Sequence, residues 1–187
     1  RAIFTNRRKD GTLYYEEKTI TPIKDPEGRI SHFVSTGKDI TERMQAEQEN
    51  QRMQLFLNSV VENLPNMLFV KEAKELKFVR FNRAAEKLLG YSREDMIGKS
   101  DYDFFPGSEA DFFTANDRKV LNSGALQEIP EEPIHTKHMG TRILHTKKIP
   151  ILDENGQPLY LLGISEDITD RKKTEDTVLR LGRILDK

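Results

Sequence analysis

Cysteine is absent from this 187-residue sequence. That excludes a disulfide scaffold, a thiolate nucleophile, Cys-ligated zinc and an iron–sulfur cluster, and it fits a reducing, cytoplasmic compartment. Long apolar runs are lacking too. The longest uncharged apolar stretches, such as Tyr160-Leu161-Leu162-Gly163-Ile164, fall far short of the roughly 20 residues that cross a bilayer, so no membrane span is expected within the segment. Neither sign of charge dominates, because 30 Lys and Arg face 31 Asp and Glu. Without a basic excess or a basic arm, nucleic acid is not an expected partner. Catalytic signatures are missing as well: there is no glycine-rich phosphate loop, no Gly-x-Ser-x-Gly elbow and no His-Glu-x-x-His pair. Glu128, Glu131 and Glu132 are interleaved with Pro130 and Pro133 and read as the solvated start of an edge strand, not as acid/base pairs. An enzyme is therefore not expected.

What remains is a chain long enough for one domain, or one domain plus a fragment, with a core of about 100 residues. It begins at Arg1 with neither methionine nor a signal-peptide pattern and reads as a piece of a longer polypeptide. An internal repeat organises it. Pro22-Ile23-Lys24-Asp25-Pro26-Glu27-Gly28 returns as Pro150-Ile151-Leu152-Asp153-Glu154-Asn155-Gly156, and Gly37-Lys38-Asp39-Ile40-Thr41-Glu42-Arg43 as Ser165-Glu166-Asp167-Ile168-Thr169-Asp170-Arg171. The offset is 128 for both, and 129 for the upstream match of Lys9-Asp10-Gly11-Thr12 to His138-Met139-Gly140-Thr141. Each copy reads as turn, strand, turn, strand, helix. Asp10-Gly11 suits a two-residue hairpin loop. Strands are predicted over Leu13 to Ile23 and Ile30 to Thr36, and again over Thr141 to Ile151 and Leu159 to Ser165.

After each Asp-Ile-Thr the composition turns to Glu, Arg, Lys and Gln, as in a solvated helix. Met53, Leu57, Val60 and Leu64 step by four, three and four, an apolar seam of coiled-coil spacing that predicts pairing with a second chain. Leu181 and Leu185 repeat the first two of those positions, so a second linker helix begins at the end of the chain and a further domain is expected after it. The complete unit lies between the copies. Met67 to Lys71 and Leu76 to Phe81 read as a hairpin; Asn82 caps a helix that Gly90 stops; Ser92 and Ser108 each open a capping box with Asp in place of Glu; and the helix after Ser108 ends at Ser123-Gly124. This is an α+β domain, a five-stranded antiparallel sheet with helices over one face. The predicted division is 1–41 for the last three strands of a truncated first domain, 42–63 for an amphipathic linker helix, 64–169 for a complete domain and 170–187 for the next linker. Three strands alone cannot close an apolar face holding Tyr14, Ile20, Phe33 and Val34, which should pack on another surface.

Asn82-Arg83-Ala84-Ala85, Gly90-Tyr91-Ser92, Ile97-Gly98-Lys99-Ser100-Asp101-Tyr102-Asp103-Phe104-Phe105-Pro106, Asp117-Arg118 and the closing Gly163-Ile164-Ser165-Glu166-Asp167-Ile168-Thr169 together resemble the PAS family of sensory domains. The resemblance implies a module of bacterial signal transduction that binds a small ligand or a partner and dimerises through flanking helices. It then biases an output domain in the same polypeptide, a histidine kinase or a diguanylate cyclase. A ligand-free spacer that only dimerises and relays is the alternative. Asp167 and Thr169, with Asp39 and Thr41 in the first copy, would tether sheet to linker helix or cap that helix. Light-sensing flavin members of the family use a cysteine near the middle of the domain, so covalent flavin chemistry is excluded. They also carry Gln where this chain has Ser165. Haem-binding members place a histidine on the long helix, and Ser108 to Gly124 has none, which disfavours haem.

By strand alternation and family analogy, Phe69, Phe81, Leu144, Leu161, Gly163 and Ser165 should face the helices and line a core with Phe104, Phe113 and Leu121. His135, Thr146 and Asp117 are the polar residues expected to reach inward toward a polar ligand. Asp117 falls in the apolar stripe of its helix, where a carboxylate is either at the solvent edge or paired. His135, His138 and His145 invite a metal. A two-residue Met139-Gly140 loop would set His135 opposite Leu144 and keep the histidines apart, whereas a three-residue loop would pair His135 with His145. No metal is expected.

Overall fold

The computed structural model describes the backbone of residues 1–185 and the side chains through Leu181. The Leu185 side chain, and Asp186 and Lys187 of the expected second linker, lie outside the described residues. The chain divides into two compact units, the first Arg1–Asn58 and the second beginning at Ser59.

In the first unit, strands β1 (Ala2–Arg7), β2 (Leu13–Lys24) and β3 (Ile30–Asp39) form an antiparallel sheet in that order, and helix α1 (Thr41–Asn63) follows. The first hairpin loop has three residues, not two. Arg8 N donates to Thr12 O and Gly11 N to Arg8 O at 2.7 and 3.0 Å, while Asp10 Oδ1 accepts from both Thr12 N and Thr12 Oγ1. That side-chain turn leaves only Gly11, at φ 90°, in the left-handed region, where a two-residue loop would need two such residues. Pro22 pairs with Phe33 and Ile20 with Ser35, so Ile20 and Phe33 share one face. Val34, opposite Thr21, lies on the other, which corrects the single apolar face expected from sequence. Ile20, Phe33 and Val34 are all exposed.

The second unit contains β4 (Met67–Glu72), β5 (Phe78–Phe81), α2 (Arg83–Leu89), α3 (Arg93–Met96), a 3₁₀ turn (Asp101–Asp103), α4 (Gly107–Ser123), β6 (Gln127–Thr136), β7 (Gly140–Leu152), β8 (Pro158–Asp167) and α5 (Thr169–Leu185). Its sheet has five antiparallel strands in the order β5-β4-β8-β7-β6. Asn82 is fully buried with every polar site used. Its Oδ1 accepts from Ala85 N, capping α2, and from Leu68 N; its Nδ2 donates to Val61 O and Asn66 O. Gly90 at φ 81° stops α2 and Gly124 at φ 65° stops α4. Ser92 caps α3 through Asp95 N. Ser108 is not a cap, because α4 starts one residue earlier, after Pro106. Leu76 is not in a strand either. It occupies the β4–β5 turn at φ 57° with its side chain buried, and β5 begins at Phe78.

The core lies between the sheet and α2 to α4, with Phe81, Ala85, Leu89, Val120, Leu144 and Leu161 at its centre. Phe69 pairs with Gly163 across β4 and β8, and its ring lies over the bare glycine. A Cβ there would stand 2.1 Å from the Phe69 ring. Gly163→Ala is therefore expected to destabilise the second unit by about 1–3 kcal/mol through overpacking, and the Phe69→Leu background should recover most of that loss. Urea unfolding of the single and double variants checks it, and equal costs in both backgrounds would refute the ring-over-glycine account.

Candidate functional site

Strand alternation brings two lysines into the core. Met67, Phe69 and Lys71 face inward on β4, and Leu144, Thr146 and Lys148 on β7. Both lysines are nearly inaccessible, at 1% and 2% exposure. They converge on Asp117 of α4, itself fully buried: Lys71 Nζ lies 2.7 Å from Asp117 Oδ2 and Lys148 Nζ 2.7 Å from Asp117 Oδ1. The Lys71 ammonium also meets Asp101 Oδ2 at 2.5 Å. Asp101 is placed by the capping box that Ser100 and Asp103 form around the 3₁₀ turn. Glu132 completes the group from β6, with Lys148 Nζ 3.5 Å from its Oε1. A bulge between Ile129 and Glu132 turns Glu132 inward, which overturns its reading as a solvated edge carboxylate.

The environment acts on these charges in opposite directions. Burial raises the Asp101 carboxyl above its ordinary range, against the pull of Lys71. Burial would raise Asp117 as well, but two ammonium groups outweigh it and hold that carboxyl low. Lys148 is desolvated, yet Asp117 and Glu132 keep its ammonium favoured, above its ordinary value.

The cluster borders a cavity of about 20 Å³ lined by Lys71, Lys148, Asp101, Glu132 and Ser165 together with apolar and aromatic side chains. Of the residues expected at a pocket, Phe69, Phe113, Leu144 and Ser165 line it. Phe81, Leu121, Leu161 and Gly163 are buried in the surrounding core, and Phe104 packs at its margin. Thr146 is buried and bonded to Ser165 Oγ at 2.9 Å. His135 does not reach inward: its side chain is 61% exposed and bonds Glu109 of α4. The β6–β7 loop explains this. Thr136 pairs with Gly140 and His135 with Thr141, leaving Lys137-His138-Met139 in the loop, a register distinct from both considered from sequence. His145 instead bonds Glu128 at 2.6 Å. Among the described residues, no group of three or more His, Asp or Glu is placed to hold a metal. Sequence reasoning found Asp117 but missed Lys71, Lys148, Asp101 and Glu132. Strand alternation already carried the signal for the two lysines, since each is in phase with inward apolar neighbours.

A second constellation joins sheet to helix. Asp167 Oδ1 accepts from Thr169 N at 3.0 Å and Thr169 Oγ1 at 2.5 Å, and Thr169 Oγ1 accepts from Ile143 N of β7 at 2.8 Å. Arg142 adds a guanidinium 2.7 Å from Asp167 Oδ2. Burial opposes ionisation of Asp167, but the Thr169 and Arg142 hydrogen bonds outweigh it and lower the carboxyl. The first copy repeats the latch: Asp39 Oδ1 accepts from Thr41 N and Oγ1, and Thr41 Oγ1 from Tyr15 N at 2.9 Å. There Tyr14 stands at the repeat position of Arg142, and Arg8, stacked 4.7 Å over its ring, supplies the guanidinium to Asp39. Tethering and helix capping are thus performed by the same side chains. On α1, Met53, Leu57 and Val60 are exposed and Leu64, just beyond its end, is half-buried.

A sequence profile of the PAS fold matches residues 61–173, and a PAS domain profile matches residues 1–42. The bacterioopsin transcriptional activator of Halobacterium salinarum is 33% identical over 66 residues, 35% of this chain and 10% of that protein. A blue-light-activated histidine kinase of Brucella ovis is 28% identical, covering 91% of this chain and 36% of the kinase. The chain thus spans about a tenth and about a third of these relatives. Among solved structures, an RNA-binding Light-Oxygen-Voltage receptor superposes with a TM-score of 0.60 at 15% identity, over 89% of this chain and 43% of that one.

Asp117→Asn removes the carboxylate that both buried ammonium groups share, leaving Lys148, among the described residues, with only the 3.5 Å contact to Glu132, and is expected to cost about 3 kcal/mol in urea unfolding at pH 7. Asp117 has a lower pKa folded than its ordinary 3.8, so its contribution is present above that value and is lost as pH falls below it. The variant should accordingly show a flatter loss of stability below about pH 4. An unchanged acid limb would show that Asp117 is not the titrating partner.

Proposed function

Because the chain belongs to the PAS family, we propose that it is a sensory and regulatory module of a bacterial signal-transduction protein. An event in the interior of the second unit changes how α5 is held, and linker helices pass that change to an output domain, a histidine kinase or diguanylate cyclase. The module itself catalyses nothing and works in the cytoplasm. Among the described residues no helix is long and apolar enough to cross a membrane. In this reading 1–41 are the last three strands of one PAS domain, 42–63 a linker helix, 64–169 a complete PAS domain and 170–187 the start of the next linker.

The observation that carries the proposal is the duplicated latch. In both copies one threonine hydroxyl accepts a strand amide and donates to an aspartate at the strand's end, so the start of the helix is bonded to the sheet, not merely adjacent to it. Such a junction is an element that a change in the sheet can bias. Ser165, on the cavity wall, precedes Asp167 by two residues on the same inward-facing row.

Amide hydrogen exchange tests this on the full chain. Ser165→Val, which changes the cavity wall and removes the hydrogen bond to Thr146, is expected to alter exchange across residues 168–173 by at least about threefold. Adding Thr169→Val, which cuts the bond to Ile143, should abolish that difference. Exchange at 168–173 that ignores Ser165→Val would sink the relay.

The exposed seam of Met53, Leu57 and Val60, with Leu64 below it, is proposed to pair with a second copy as a homodimer. Light scattering at high concentration should report a dimer that Leu57→Glu converts to monomer, and a monomeric parent chain would count decisively against pairing. The alternative, a ligand-free relay spacer, draws on one observation: the cavity, at about 20 Å³, holds no more than a water-sized group.

A further inference from the structure

The interior cluster is unbalanced in two respects. Two ammonium groups, Lys71 and Lys148, face three carboxylates, Asp101, Asp117 and Glu132, all five nearly inaccessible. With all three carboxyls ionised, one negative charge is left over. The imbalance is localised as well. Among the described residues, Glu132 Oε1 is a buried oxygen that accepts no hydrogen bond. Its side chain is 5% exposed, it lines the cavity, and the nearest cation stands off at 3.5 Å. An acceptor left without a donor in a low-dielectric interior is costly. A donor entering the cavity would relieve it.

We propose that this cavity is the head-group site for a small protonated amine, whose N–H donates to Glu132 Oε1. The inference rests on the sensory reading above and gives that reading a ligand class. A single ammonium group matches the space, since about 10–15 Å³ suffices for a water-sized occupant. It also cancels the leftover charge. An anion is disfavoured because it would add to the excess, and the lysine ammoniums are already engaged by Asp101 and Asp117. A metal ion is disfavoured because those same lysines occupy the carboxylate oxygens it would need. Apart from the four charged residues and Ser165, the lining, including Phe69, Phe78, Phe105 and Phe113, is apolar, so the substituent on nitrogen is apolar, and a larger one requires these rings to move apart.

Thermal melting of the full chain at constant ionic strength, with ammonium, methylammonium or tetramethylammonium chloride or sodium formate, tests the assignment. Ammonium and methylammonium are expected to raise Tm by about 3 °C near saturation. Tetramethylammonium, which has the charge but no N–H, should not. Glu132→Gln should abolish the rise, and Glu128→Gln, an exposed carboxylate on the same strand, should keep it. Should Glu132→Gln fold poorly, amide chemical shifts of the parent chain titrated with methylammonium provide a second readout, with changes expected at Glu132, Leu144 and Ser165. An equal rise with tetramethylammonium, a rise with formate alone, or a methylammonium effect that survives Glu132→Gln would overturn the amine site. A formate-only rise leaves the sensory reading standing, whereas that reading falls on the exchange experiment at residues 168–173, whatever the amine result.

Discussion

The carboxylate of Asp117, shared by two lysines from different strands, is the contact on which the second unit's interior depends. It comes from α4, and its partners stand on β4 and β7, which are separated in the sheet by β8. One side chain therefore sets where the long helix lies across three strands. A leucine at that position would be held by packing alone and could slide. Each of the two ion pairs loses hydration on burial, which makes the cluster a weak source of net stability and a strong penalty on any arrangement that separates its members. The 3₁₀ turn is drawn into the same arrangement through Asp101 and Lys71.

That fixed interior meets the ends of the domain through two further polar contacts. At the entry, Asn82 ties the last turn of α1 to β4 and α2 with four hydrogen bonds. Arg93 binds both Glu62 and Glu86 through its guanidinium, and its hydrogen bonds hold both carboxyls below their ordinary range. At the exit, Thr169 and Asp167 bind α5 to β7. Ser165, Gly163 and Leu161 alternate inward along β8 and end at this latch. A single strand thus touches the cavity at one point and the outgoing helix a few residues later.

Much of this architecture was legible because it rests on local rules. Asn82 and Gly90 bracket a helix through capping and a left-handed φ, and both roles depend on residues within a few positions in sequence. The five antiparallel strands with helices on one face follow from the succession of strand and helix signals along the chain, whereas the order of the strands in the sheet does not. Other features depend on partners far along the chain. Val34 fell on the opposite face from Ile20 because the β2–β3 pairing, not composition, sets the phase. His135 turned outward because the β6–β7 loop begins at Lys137, which brings its ring to Glu109. Glu132 turned inward because a bulge shifts the phase of β6, a shift that Pro130 and Pro133 allow but do not specify.

The sequence by itself determined the α+β class, the repeat, the latch residues and the absence of thiol chemistry. All of these follow from residue type and short-range spacing. Only the tertiary structure decided that Lys71, Lys148, Asp101 and Glu132 gather around Asp117. Alternation puts both lysines in phase with inward neighbours, but which carboxylates meet them is set only when the strands on either side and the helix above are in place. Removal from water then makes each charge require a partner, and that partner comes from an element 30 to 46 residues distant for Lys71 and 31 for Lys148.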